Sequence, residues 1–227
     1  MSQATSRREQ RRQQHQELSR NQLLDAAEEL FGAKGFHDTT LKEVAERAEF
    51  SVGSVYSFFE NKDDLFLQVF LRRGAELLPE MEAVAASGDS AIEQVRRLVA
   101  LEVGFFREHR HFARLYLRSS PSTSLPPLSV FEGFRGNFER AMQVQAGVFR
   151  HGQEAGELRD GDPYVLARLM SGMVATFQLL DPAIGAPGSP VSPGPAEASG
   201  NGGPVGEGMP LEAFLDIVAD AFRRPGA

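Results

Sequence analysis

The chain of 227 residues contains no cysteine, which excludes disulfide staples and thiolate chemistry and fits a reducing compartment. No run of eighteen apolar residues is present, and the N-terminus is polar and Arg-rich without an apolar core segment. A cytoplasmic protein with no membrane partner is therefore expected. The glycine fingerprints that cradle phosphates or dinucleotides are missing as well. His15, His37, His109, His111 and His151 form no metal pattern, because the 109/111 pair points to different sides of a helix and two ligands do not make a site. With acidic residues scattered over helical surfaces, no catalytic residue, metal or cofactor is expected, and the chain does not read as an enzyme.

Alternating strand patterns and fixed-period repeats are also missing, while 41% of the residues are apolar, enough for a sizeable core in one or two domains. The expected fold class is all-α. Net charge is −7. Residues 1–65 hold nine Lys/Arg against twelve Asp/Glu, whereas residues 1–22 hold five Arg against two Glu. Positive charge is thus concentrated around Arg7, Arg8, Arg11 and Arg12, in a Gln/Arg-rich arm over 1–18 that reads as flexible or as frayed helix.

The stretch from Thr40 to Leu65 carries three sets of helix signals close together. Thr40 with Glu43 is a capping box, followed by Val44, Ala45 and Ala48 on one face. Ser51 caps a second helix in which Val55, Tyr56 and Phe59 recur at three- and four-residue steps, and Asn61 with Asp64 caps a third. A two-turn helix such as 52–58 is too short to stand alone, so its neighbours must hold it, leaving its outward residues free. This is the layout of a helix-turn-helix, whose second helix is sized for the DNA major groove. The same spacing also suits three short helices that only pack a core.

The segments LLDAAEELFGAKGF (23–36), TTLKEVAERA (39–48) and SVGSVYSFFENKDDL (51–65) resemble the N-terminal domain of the TetR (tetracycline-repressor) family. The most specific part is Tyr56, Phe59, Lys62 and Leu65 after a Ser-x-Gly turn. Two positions depart from that pattern: Glu49 stands where the turn usually has Gly, and Val52 where a polar residue is frequent. The resemblance implies a DNA-binding transcriptional regulator, most simply a repressor, whose homodimer sits on a palindromic operator and is released by a small-molecule effector. It assigns 19–66 to the helix-turn-helix domain and 67–227 to a helical ligand-binding and dimerisation domain. Val52, Gly53 and Ser54 would face bases of double-stranded DNA, with Tyr56 reaching base or backbone, Thr40, Ser57, Phe58 and Lys62 along the phosphates, and Ser51 also in the DNA-binding set. The alternative is a ligand-binding or scaffold protein of the same fold with weakened DNA recognition, for which Glu49, Val52 and the acidic balance speak.

Beyond this segment the signals predict helices over about 61–84, 90–109, 111–118, 128–154, 163–180 and 211–222, preceded by one opening at Ser19 with Gln22 and stopping at Gly35. Half of residues 183–210 are Gly or Pro, so a disordered loop is expected there. Ala167, Ser171 and Ala175 form a small-residue stripe, and Phe214, Val218 and Phe222 share a face of the last helix; the resemblance assigns both to a dimer interface. An effector pocket, probed by a hydrophobic ligand, is expected from the aromatic and Met supply at Phe105, Phe112, Tyr116, Phe134, Phe138, Met170 and Phe177. A stripe of Phe131, Phe134, Phe138, Met142 and Phe149 equally suits ordinary core.

Overall fold

The computed structural model describes residues 7–118, 128–182, 184 and 209–226, with the backbone alone at 128–132 and 134. Nine helices occur among the described residues: α1 (Arg7–Lys34), α2 (Leu41–Arg47), α3 (Val52–Phe58), α4 (Lys62–Ala85), α5 (Ala91–Glu108), α6 (Arg110–Arg118), α7 (Leu128–Glu154), α8 (Pro163–Leu180) and α9 (Leu211–Phe222). No strand accompanies them, only one isolated bridge between Leu158 and Arg223. The fold is all-α.

Local chemistry sets most of these boundaries. The Thr40 hydroxyl accepts from the Glu43 amide at 3.2 Å while the Glu43 carboxylate accepts from the Thr40 amide at 2.9 Å, closing the capping box. The Asn61 side chain accepts from the Asp64 amide at 2.9 Å, and Asp162, followed by Pro163 at the first helical position, accepts from the amides of Tyr164 and Val165. Gly35 ends α1 in the left-handed region at φ 90°.

Two expectations need correction. The first helix does not open at Ser19; it runs unbroken from Arg7, and Ser19 is buried inside it with its hydroxyl 3.5 Å from His15 Nδ1. No Gly or Pro precedes Ser19 to stop the helix, so a capping pattern yielded to continued backbone hydrogen bonding. Residues 7–18 are exposed throughout. The Gly/Pro-rich stretch lies outside the described residues at 183 and 185–208, but Ile184 is buried and its carbonyl accepts from Arg114 Nε at 2.8 Å. The chain leaving α8 is therefore docked on α6 at that residue, earlier than the expected loop allowed.

Two hydrophobic cores share α4. The first joins Leu23, Leu24, Ala27 and Phe31 of α1 to Val44, Val55, Leu65, Phe66 and Val69, and takes in Phe105, Phe106, Phe112 and Leu115 from α5 and α6. The second joins Met81 and Val84 to Val95, Leu98, Val99, Phe149, Met170, Val174, Val218 and Phe222. Each fully buried Leu or Phe contributes about 2 kcal/mol, so α4 is held strongly at both ends. It runs continuously across the expected domain boundary at residue 66, with Pro79 in its interior removing one backbone hydrogen bond.

The helix-turn-helix end contacts the rest of the molecule through α1 and α6 as well as through α4. At Gly32 the approach is so close that a Cβ would lie 2.4 Å from the backbone oxygen of His111. Backbone cannot swing aside as a side-chain tip can. Gly32→Ala should therefore destabilise the fold by about 1–3 kcal/mol, read from urea unfolding, unless α1 and α6 separate. An unchanged midpoint would show that this packing is loose.

Candidate nucleic-acid interface and helix-lined cavity

The turn between α2 and α3 is built by backbone bonds that place one residue in an unusual conformation. The amide of Phe50 bonds the Ala45 carbonyl at 2.8 Å and that of Glu49 bonds the Glu46 carbonyl at 3.2 Å, the pairing of a Schellman helix stop. That motif needs a left-handed residue before Phe50, and Glu49 supplies it at φ 60°. Among the described residues Glu49 is the one non-Gly residue with positive φ. Glycine would adopt this conformation without the Cβ penalty.

After the turn, Ser51 caps α3 by accepting from the Ser54 amide at 3.1 Å, and the two serine hydroxyls lie 2.8 Å apart. Val55 and Phe59 are buried and pin the helix to the first core. Its other side is open: Val52 is 37% and Tyr56 57% exposed, with Gly53 and Ser57 exposed between them. Ser54 and Phe58 are half-buried flanks, and the Ser57 hydroxyl donates to the Ser54 carbonyl at 2.6 Å. Thr40 sits exposed at the start of α2, its hydroxyl engaged with Glu43. Lys34 beside Glu43, at 2.5 Å, together with the Thr40 amide holds that carboxyl down at about 2.

Lys62 is placed differently from the sequence expectation. Its ammonium donates to the carbonyls of Phe36, His37 and Thr39 at 3.0, 3.4 and 3.0 Å and lies 4.4 Å from the Phe36 ring centre. All three of its donors are thus directed at the α1–α2 loop, so its first task is to clamp that loop against α4. Arg20 lies 5.4 Å from the Phe59 ring centre and donates to Gln68 at 2.6 Å. From there the exposed part of α1 extends back to Arg12, Arg11, Arg8 and Arg7.

The second feature is a cavity of about 120 Å³ between α4, α5, α6, α7 and α8. Phe70, Leu77, Met81, Phe106, Phe112, Tyr116, Phe138 and Met142 give it apolar walls. Its polar residues form a directed chain: the Ser171 hydroxyl donates to Gln145 Oε1 at 3.0 Å, and Gln145 Nε2 donates to the Glu102 carboxylate at 2.6 Å. Burial pushes the Glu102 carboxyl up to about 7 despite that bond, and burial together with the Glu102 charge pushes the Tyr116 phenol up to about 12. Gln178 also lines the cavity, is buried, and its Nε2 has no hydrogen-bond partner. Arg73 reaches the cavity wall from α4, but Glu28 and Glu76 take its guanidinium at 2.8 and 2.6 Å.

The sequence model for "Bacterial regulatory proteins, tetR family" matches residues 23–69, the span of α1 to α4 that builds this face. Over residues 23–69 the chain carries the N-terminal domain of TetR-family regulators. It is similar to the fatty acid metabolism regulator protein of Bacillus subtilis, with 23% identity over 153 residues, 66% of this chain and 75% of that protein. The crystal structure of the FadR regulator from Bacillus subtilis in complex with stearoyl-CoA superposes with a TM-score of 0.61 at 20% identity, covering 69% of this chain and 83% of that one. A transcriptional regulator from Saccharomonospora viridis in complex with choline gives a TM-score of 0.67 at 20% identity, covering 91% and 98%. These structures share the fold.

The cavity takes in only part of the expected aromatic set. Phe112, Tyr116 and Phe138 line it; Phe105 points elsewhere, with its ring centre 4.5 Å from that of His109, and Met170 is fully buried in the second core. Phe177 stacks on Phe214 at 4.3 Å beside a separate open groove, and the Phe134 side chain lies outside the described residues. Helical spacing separates faces but does not say which neighbouring helix a face meets. Glu102, Gln145 and Gln178 went unrecognised. Their available signal was a polar residue within an otherwise apolar helical face.

The expected dimer residues are also turned inward. Ala167, Phe214, Val218 and Phe222 are buried in their own chain's core, Ser171 bonds Gln145, and Ala175 lines the cavity. The small-residue stripe packs against α7 of its own chain through Ser171 and Gln145. What α8 and α9 leave exposed is a different apolar set, Val165, Leu169, Leu180 and Ile217, with Gly172 and Thr176 between them.

Two measurements follow from these geometries. Glu49→Gly should raise stability by about 1 kcal/mol in denaturant unfolding, by relieving the left-handed strain. Glu102 has a raised folded pKa, so its contribution is complete below the ordinary value near 4.5 and is lost as pH rises through about 7. Stability should decline over that window by up to about 3 kcal/mol, and Glu102→Gln should flatten the decline. A variant with the wild-type pH profile would remove Glu102 as its source.

Proposed function

We propose that this regulator acts in the cytoplasm as a homodimeric repressor, bound to a palindromic operator and released when an effector occupies the helix-lined cavity. The observation that carries the DNA part is the open face of α3, where Val52, Gly53, Tyr56 and Ser57 stand outward from a helix pinned by Val55 and Phe59. Two such helices, one from each subunit, would enter successive major grooves roughly 34–36 Å apart. Val52 suits a thymine methyl, Gly53 a close backbone approach, and Tyr56 a base edge or phosphate. Thr40, Ser51, Ser54, Ser57 and Phe58 flank this surface, and Lys62 contributes its charge from a fixed position. Arg7, Arg8, Arg11 and Arg12 lie on a helical arm that extends about 20 Å beyond Arg20, long enough to follow the DNA backbone.

The dimer is proposed to form through Val165, Leu169, Gly172, Thr176, Leu180 and Ile217, because these residues leave an apolar face of α8 and α9 uncovered. Residues 19–66 then read DNA and the helices from 67 onward hold effector and partner, with α4 belonging to both. The ligands of the two structural neighbours, stearoyl-CoA and choline, support effector control as the mode of regulation without fixing its chemistry. A 100-fold change in operator occupancy requires a coupling of about 2.7 kcal/mol between cavity and DNA face.

Affinity for operator DNA selected from a random pool should fall steeply with salt, with a slope reflecting several released counterions. Tyr56→Ala should weaken that binding at least tenfold and leave the melting temperature unchanged, since the side chain is mostly exposed. A flat salt dependence would defeat the DNA reading. Wild-type affinity in the variant would take Tyr56 out of the interface.

A further inference from the structure

The effector's chemical class follows from the cavity's polar groups, given the reading above that this cavity is the effector site. Glu102 faces an apolar space from α5, and its carboxylate accepts from Gln145 Nε2. An ionised carboxylate can only accept, which turns the Gln145 nitrogen toward Glu102 and its oxygen toward the Ser171 hydroxyl. No cation among the described residues is paired with Glu102. Arg73 of α4, the guanidinium at the cavity wall, is already engaged by Glu28 and Glu76, and Arg168 of α8 lies over the Phe138 ring, 5.1 Å from its centre. The other titratable group facing Glu102 is the Tyr116 phenol of α6. A carboxylate buried without a counter-ion is expensive, and burial favours its protonated form.

We propose that the cavity holds a small apolar amine, its ammonium on the Glu102 carboxylate and its hydrocarbon body among Phe106, Phe112, Phe138 and Met142. The uncommitted Gln178 Nε2 is then satisfied by an acceptor next to the amine, such as a hydroxyl. Volume limits the size: an apolar cavity of about 150 Å³ accommodates benzene, so about 120 Å³ suits a hydrocarbon body of at most about six non-hydrogen atoms. A long acyl chain is several times larger, and an anionic head would meet the Glu102 charge. Since Glu102 holds its proton up to about 7, an ammonium must displace that proton in acid, so affinity rises with pH until the carboxylate is fully ionised.

Calorimetric titration of the full chain with cyclohexylamine, cyclohexanol, cyclohexanecarboxylate, 2-aminocyclohexanol and stearoyl-CoA tests this, with operator release followed in parallel. At pH 8 the amine should bind at least tenfold tighter than the alcohol, and the carboxylate should not bind. Glu102→Gln should abolish that preference, and amine affinity for the wild type should drop several-fold between pH 7 and pH 6. The amino alcohol should exceed the amine, and Gln178→Leu should erase that difference. Equal binding of amine and alcohol, or preference for the carboxylate, overturns the proposal. If stearoyl-CoA alone binds and releases operator, the amine site is wrong while effector control stands. If the amine binds through Glu102 but leaves operator occupancy unchanged, the site is right and the coupling to DNA fails.

Discussion

The molecule depends on a buried ion cluster between α1 and α4. Glu28 is almost fully buried and takes bonds from both Arg72, at 3.0 Å, and Arg73, at 2.8 Å, while Asp25 and Glu76 complete the two guanidinium forks. Its net contribution to stability is small in the way of buried pairs, but removing one partner would leave a charge stranded. What the cluster supplies is register. Arginine forks bind carboxylates in few orientations, so α1 can meet α4 at essentially one rotation and height. Arg73 stands at the cavity wall at the same time, which places the same side chain between the DNA-reading helices and the space where an effector would sit.

The helix-turn-helix is built with little positive charge to spare. Lys34 is committed to Glu43, Arg47 to Glu29 at 2.6 Å, and Lys62 to three loop carbonyls. These contacts tie α1, α2 and α4 together and leave α3, which carries no charged residue at all, as the exposed element. In the proposed DNA complex, long-range attraction to phosphate would then fall to the arginines on the extended α1, and local shape to α3. Such a division separates encounter from recognition, with ionic strength acting mainly on the first.

Much of the architecture was legible because polar caps and breakers act over three or four residues. Thr40 with Glu43, Asn61 with Asp64 and Asp162-Pro163 announced helix starts that the hydrogen bonds reproduce, and Gly35 announced a stop. Glu49 could be flagged as occupying a position that favours glycine, and its φ of 60° is the physical content of that flag. Ser19 misled because a cap pattern is informative only where the preceding chain cannot continue the helix. The cavity and the outer face of α8 were not legible, since both depend on how helices far apart in sequence are rotated against one another. Ala167 and Ser171 could equally have received a partner subunit or α7; only the packed helices decide that Ser171 meets Gln145.

The Gly32–His111 contact has a mechanical side. Most helix interfaces meet through side chains, which repack and absorb small displacements before backbone moves. At Gly32 backbone meets backbone, while Phe31, Phe112 and Leu115 pack as side chains in the core that the two helices share. α6, whose Phe112 and Tyr116 form part of the cavity wall, is thus held at a fixed distance from α1 at this glycine. At this one point a movement of α6 toward α1 meets backbone before any side chain can repack.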